Sequence, residues 1–165
     1  MSKFFFVSQK GLSALLEARG NLQNELYKAT KEMGDSVKRD NDLRENPEYM
    51  QLQTKISYEL PSKIADIGNV IENHILIEET DSVKNDEFDE VVPGCQVKIE
   101  DEYGNQRVFS IMGYDESDPS IGVISYLTPI AQELLYKAVG EEVQLISNGK
   151  NVFYEIIAIG RSPKL

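Results

Sequence analysis

DNDLRENPEY, residues 40–49, stands between two long helical patterns, and its reading decides the fold. Acids, a basic residue, a helix-capping Asn and a Pro share ten positions. Upstream, with Ser8 as N-cap, apolar residues recur at Leu12, Leu15, Leu22, Leu26, Ala29 and Met33. The steps alternate three and four once Arg19 is accepted at one seam position. Downstream, a second stripe runs Tyr49, Leu52, Ile56, Leu60, Ile64, Ile67 and Ile71, with His74 closing it. Each pattern covers roughly 28 residues, about 40 Å of helix. So short a connection makes the helices antiparallel neighbours. Residues 1–77 are therefore expected to form a two-helix coiled-coil hairpin with an acidic tip at 40–49. No third long helical pattern completes a three-helix bundle.

Three residues strain this reading. Gly20 and Gly34 lie inside helix one, each costing about 1 kcal/mol relative to Ala. Pro61 lies inside helix two, where it removes a backbone hydrogen bond. The stripe keeps phase through Pro61, so a bend is expected there and not a break.

Beyond residue 77 the period changes. Residues 78–90, EETDSVKNDEFDE, carry much charge and little periodicity and are read as a linker. Within residues 91–165 the segments CQVKIED, QRVFSIMGY, IGVISYL, EVQLIS and NVFYEIIAIG alternate with period two, bounded by Gly, Asn and Asp turns. EYGNQ and SNGKN suit hairpin turns. One short helix is expected from Thr128 as N-cap, with Pro129 at its first position. The fold class is thus α+β: a helical hairpin, then a small, mostly antiparallel sheet with one helix.

Composition narrows the function. The chain has 165 residues and a net charge of −11, unevenly spread. Residues 1–77 hold 10 basic and 11 acidic groups, and residues 78–165 hold 7 and 17, so net charges are −1 and −10. The acidic half would repel DNA or RNA, which leaves nucleic-acid contact to the first half or to a partner. The apolar run in MSKFFFVSQKG is four residues, too short for a signal peptide, and no membrane span follows. A cytoplasmic location is the expectation. Cys95 is the one cysteine and lacks zinc-site companions, so it is read as a small buried side chain. His74, on an apolar stripe, is read as a core or capping residue. There is no Gly-rich phosphate loop, no Ser-His-Asp order and no metal-spaced His pair. A self-sufficient hydrolase or metalloenzyme is not indicated.

The order of a helical hairpin, an acidic tip and a compact α+β domain resembles the bacterial transcript-cleavage factors of the Gre family. NDLRENPEY is similar to the family's tip signature, and ISYLTPIAQELLYKAVGEEVQL to its C-terminal signature. GLSALLEARGNL is a fainter echo of the first helical turns. The resemblance implies a non-enzymatic factor that binds the secondary channel of bacterial RNA polymerase. Its hairpin tip would reach the active centre of a backtracked complex, where the polymerase cleaves the 3′ end of its own RNA.

Carried onto this sequence, the resemblance makes Asp42 and Glu45 the two tip acids that help hold a second Mg²⁺ and its attacking water. Asn46, Glu48 and Tyr49 match the remainder of the tip, and Arg44 takes its basic slot. Asn41, Pro47 and Gln53 depart from common family residues, the last weakening any RNA contact. The resemblance also implies an FKBP-like C-terminal domain, residues 91–165, that docks on polymerase. Ser125, Tyr126, Pro129 and Ile130 are docking candidates there, and strand and helix-cap roles explain them equally well. No tightly bound cofactor is implied for the isolated chain, which is expected to be a monomer.

The residue types suit this role. Mg²⁺ prefers oxygen ligands, keeps several waters and is usually held by one or two carboxylates plus phosphates. Two acids three residues apart supply part of such a shell. The same acids would also favour a helix N-terminus, by about 0.3–1 kcal/mol each. Lys38, Arg39, Arg44 and Lys55 form either a solvated helical face or a small patch for RNA phosphates. Two other functions share the pattern: a channel-binding inhibitor of polymerase on the same fold, and an FKBP-like isomerase or chaperone with a helical arm.

Overall fold

A computed structural model describes residues 3–39 and 47–165. The chain divides into two compact units, Ser13–Asn73 and the combination of Met1–Leu12 with His74–Leu165.

The hairpin unit is built from a seam. Helix α1, Gln9–Arg39, runs for 31 residues, about 46 Å. Ser8 caps it as expected, its Oγ accepting the Gly11 N–H at 3.0 Å. The seam residues predicted from spacing are its sheltered face: Leu15 and Ala29 are buried, and Leu22, Leu26 and Met33 half-buried. Leu22, Leu26, Ala29 and Met33 pack with Leu52, Ile56 and Leu60 of the returning arm. A side chain would meet nothing within 4 Å at Gly20 or Gly34, so packing does not require glycine there.

The returning arm comprises helix α2, Pro47–Thr54, a π-helical turn at Lys55–Glu59, and helix α3, Leu60–Glu72. The Leu60 N–H donates to the Lys55 carbonyl, five residues back. The chain remains helical through Pro61, which lies in the first turn of α3 and needs no amide partner there. In place of a plain proline distortion the protein uses a wider turn just ahead of it. Its origin is in the stripe. Leu52, Ile56, Leu60 and Ile64 are four apart, and successive four-residue steps overrun a 3.6-residue period. Helix α3 ends at Glu72, and the Asn73 N–H donates to the Asn69 carbonyl at 3.1 Å. His74, expected to close the helical stripe, instead opens a strand.

That strand, β2 (His74–Leu76), pairs in parallel with β1 (Phe5–Val7), Phe5 opposite His74. Residues 1–12 and 74–77, which spacing assigned to the hairpin, thus belong with the sheet. Val7 and Ile77 are fully buried there. The segment read as a linker is also folded. Ile77–Glu79 forms a 3₁₀ turn and Asp81–Asn85 a short helix, α4, whose Val83 is buried. The cause lies at Gly94, whose φ is +97° and where a Cβ would stand 2.6 Å from Ile77 and 2.8 Å from Val83. A glycine lets this acidic segment close over the sheet unit.

All five predicted strands form. They are β3 (Cys95–Asp101), β4 (Gln106–Met112), β5 (Val123–Ser125), β6 (Glu142–Ser147) and β7 (Lys150–Arg161), ordered β5-β4-β3-β7-β6. All neighbours are antiparallel except β4 and β5. Inward residues Val97, Ile99, Phe109, Ile111, Val143, Leu145 and Ile156 make the core. Helix α5, Pro129–Leu134, covers it with Ala131 and Leu134, and Thr128 caps it by accepting the Ala131 N–H at 3.4 Å.

Candidate functional site

The two arms of the hairpin bring α1, ending at Arg39, and α2, beginning at Pro47, to the segment that carries the tip signature. Asp42, Arg44, Glu45 and Asn46 lie outside the described residues. Pro47 opens α2 as its fixed φ suits, with Glu48 in the first turn, where a carboxylate complements the helix dipole. Glu48 is exposed and Tyr49 half-buried. Lys38 and Arg39 are the last two residues of α1.

Lys55, a candidate for RNA contact, is engaged within the hairpin. Its Nζ lies 2.7 Å from Glu25 Oε1 on α1, with both side chains partly exposed. The hydrogen bond from Lys55, then its charge, holds the Glu25 carboxyl below its ordinary value, and the same bond raises the Lys55 ammonium. The pair ties the π-helical turn to the opposite arm.

The four docking candidates separate into two kinds. Ser125 and Tyr126 are buried. Tyr126 accepts the Phe6 N–H at 3.2 Å, stacks edge-on with the Phe6 ring, and its hydroxyl pKa is pushed up by burial. Ser125 Oγ accepts the Leu127 N–H at 3.3 Å. Their side chains hold the sheet unit together and offer a partner little surface. Pro129 is exposed and Ile130 half-buried. They line a shallow groove of about 400 Å³ with Glu133, Gln144 and Ile146. Cys95 is fully buried, and burial pushes its thiol up to about 11, so it is chemically quiet.

Two features of the sheet unit escaped sequence reasoning. The first is a carboxylate clamp at the start of α1. Glu116, from the β4–β5 connection, accepts the N–H groups of Ser8 and Gly113, both at 3.0 Å, and the Ser8 hydroxyl. Gly11 leaves the room its carboxyl occupies, since a Cβ there would lie 2.5 Å from it. Glu78 accepts the Gln9 N–H at 2.7 Å. The second is a row of like charge across three strands. Glu100 on β3 stands opposite Glu155 on β7, which stands opposite Glu142 on β6. Together with Asp101, Glu102, Tyr103 and Phe153 they line a concavity of about 710 Å³. The strand register, which fixes such neighbours, cannot be read from charge pattern alone.

Among the described residues no three His, Cys, Asp or Glu side chains are placed to hold a metal ion, and no helix is long and apolar enough to cross a membrane.

Comparison with known proteins places this arrangement. Residues 84–161 match the family described as "Transcription elongation factor, GreA/GreB, C-term". The chain is 30% identical to "Transcription elongation factor GreA" of Desulfovibrio desulfuricans, over 93% of this chain and 91% of that one. It is 32% identical to the protein of the same name from Caldanaerobacter subterraneus subsp. tengcongensis, over 88% of this chain and 90% of that one. Among solved structures, "Structure of the transcription factor Gfh1" aligns with a TM-score of 0.45 and 16% identity, covering 96% of this chain and 99% of that chain. With relatives of 30% identity or more spanning nearly its whole length, the chain belongs to the GreA/GreB family of transcription elongation factors.

Proposed function

We propose that this chain is a transcription elongation factor that binds bacterial RNA polymerase at its secondary channel and stimulates the polymerase's own cleavage of backtracked RNA. The observation that carries the reading is its 30% identity, in an alignment covering 93% of the chain, to a relative named transcription elongation factor GreA. The protein acts as a cofactor of the polymerase and not as an enzyme, and its place of work is the cytoplasm.

In this reading α1 and the α2–α3 arm are a stiff support, and the residues between Arg39 and Pro47 are the working end. Asp42 and Glu45 would donate carboxylate oxygens to a Mg²⁺ shared with the polymerase. Two oxygen donors three residues apart fit a hard divalent cation but fill only part of an octahedral shell. Such an ion would lower the pKa of a bound water and stabilise charge on a phosphate. Asn46 and Pro47 restrict the backbone entering α2, and Glu48 and Tyr49 continue the tip into its first turn. Lys38, Arg39 and Arg44 are proposed to meet RNA phosphates, whereas Lys55 is already paired with Glu25. Docking falls to the exposed Pro129 and half-buried Ile130 groove of the sheet unit, acting as a monomer.

The test is RNA cleavage in a stalled, backtracked complex at saturating factor. Asp42→Ala combined with Glu45→Ala should lower the stimulated rate by about tenfold to a thousandfold, the effect of losing roughly 1.4–4 kcal/mol of transition-state stabilisation. Binding to polymerase should persist. A double variant that stimulates like the wild type would reduce both acids to turn residues. Slowed elongation without cleavage by the wild type would favour the inhibitor, and turnover of a prolyl peptide the isomerase.

A further inference from the structure

The returning arm of the hairpin carries one residue more than its seam requires. Tyr49, Leu52, Ile56, Leu60, Ile64, Ile67 and Ile71 are spaced three, four, four, four, three and four apart. A two-helix seam alternates three and four. Removing a single residue between Ile56 and Leu60 would restore that alternation along the entire stripe. It is there that the chain becomes π-helical, at Lys55–Glu59. The surplus residue is thus absorbed as a local widening, and Ser57, Tyr58 and Glu59 face solvent, Tyr58 with 74% exposure.

The widening is held on every side. Pro61 follows, and in an α-helix its ring would strike the carbonyl four residues back, that of Ser57. Lys55, the first residue of the turn, reaches Glu25 on α1 at 2.7 Å. Leu60, just beyond it, is buried in one cluster with Ala29 of α1, and Ile56, inside it, packs against that cluster. Wide turns of this kind are rare, and they mark kinks in the helices that contain them. Here the sequence could have avoided it by omitting one exposed residue.

We propose that the π-helical turn, with Pro61 and the Glu25–Lys55 pair, is an aiming element. It offsets α2 from the line of α3, and α2 leads directly into the tip signature. Pro61, Glu25 and Lys55 are then positioning residues for the stimulated cleavage, acting through the placement of α2. The inference rests on the functional reading above. It has mechanistic weight because about 1 Å of misplacement at a reacting centre can cost about a hundredfold in rate.

Deletion of Ser57 tests it. The seam becomes regular, and with Pro61→Ala added, so that no ring meets a carbonyl in the now α-helical arm, the variant should fold with a melting temperature at or above that of the wild type; failure to fold would overturn the premise. Spin labels on Gln51→Cys and Asp66→Cys, both exposed positions, report the offset by pulsed electron resonance, with the buried Cys95 shielded from labelling. The distance should change by more than the about 1.5 Å that one helical residue contributes. A change no larger than that overturns the proposal. In the cleavage assay the maximal stimulated rate should fall at least about tenfold, as misplacement predicts, while the half-saturating factor concentration stays put. Pro61→Ala, which keeps the residue count, should move both readouts in the same direction by less. An unchanged maximal rate in the deletion variant sinks the aiming role. A wild type that stimulates no cleavage sinks the functional reading instead, and the label distance alone then decides whether the offset exists.

Discussion

The hairpin unit, among its described residues, buries five apolar side chains: Leu15, Ala29, Leu52, Leu60 and Val70. The sheet unit buries a connected cluster of fifteen, from Val91 to Ile156. One region is a thin seam along two exposed helices, and the other is a closed core beneath α5. Charge divides the same way, −3 in residues 13–73 and −8 in the rest of the chain. The contrast separates duties. A long, slender element reaches with little surface to spare for stabilising itself, and a dense platform carries the stability and the acidity.

The sharpest way to break this contrast is to cut each core once. Ile111→Ala, at a fully buried site, should cost about 2–5 kcal/mol and lower hydrogen-exchange protection in both units, because α1 begins in the sheet unit. Leu60→Ala should cost a similar amount but remove protection only from Ser13–Asn73. Equal loss of protection in the sheet after Leu60→Ala would mean the two units unfold as one. A smaller effect is expected at Gly94→Ala, about 1–3 kcal/mol by calorimetry. The new Cβ meets Ile77 and Val83, and the positive φ disfavours it. That variant also asks whether the acidic segment 78–90 belongs to the platform, since its exchange should quicken first. The smallest effect is a gain. Glu155 stands between Glu100 and Glu142, and like charges on opposed strand positions repel. Glu155→Gln should stabilise the sheet unit by about 0.2–1 kcal/mol at low salt and by less at high salt. A loss of stability would show that the row is compensated elsewhere.

Much of the fold was legible because periodicity reports burial. Cys95–Asp101, with alternate residues buried, reads as a strand, and Leu22, Leu26, Ala29 and Met33 read as a seam. Phe5–Val7 was not legible, since three residues are too few to show a period and the partner His74–Leu76 lies some seventy positions away. Residues 78–90 misled because charge outnumbers the one buried residue, Val83, that seats α4. Ser125 and Tyr126 suit docking and a strand equally by sequence, and their partners, Leu127 N–H and Phe6 N–H, come from the fold. The π-helical turn was written in three successive four-residue steps, but Pro61 drew the eye as the cause of a bend. The tip acids were legible only as a motif, because two exposed carboxylates in a turn have no periodicity or burial to distinguish them.

The parallel ladder of β1 on β2 has a further meaning for reach. Parallel neighbours need a long crossover, and here the entire hairpin is that crossover, closed at its base by Phe5 beside His74. The chain entropy of closing a loop grows only with the logarithm of its length. Lengthening each arm by one heptad would extend the hairpin by about 10 Å while adding only about 0.2 kcal/mol to that closure term. The closure term therefore sets little limit on the length of the hairpin, and each arm can change by a seam repeat without altering the pairing of β1 with β2.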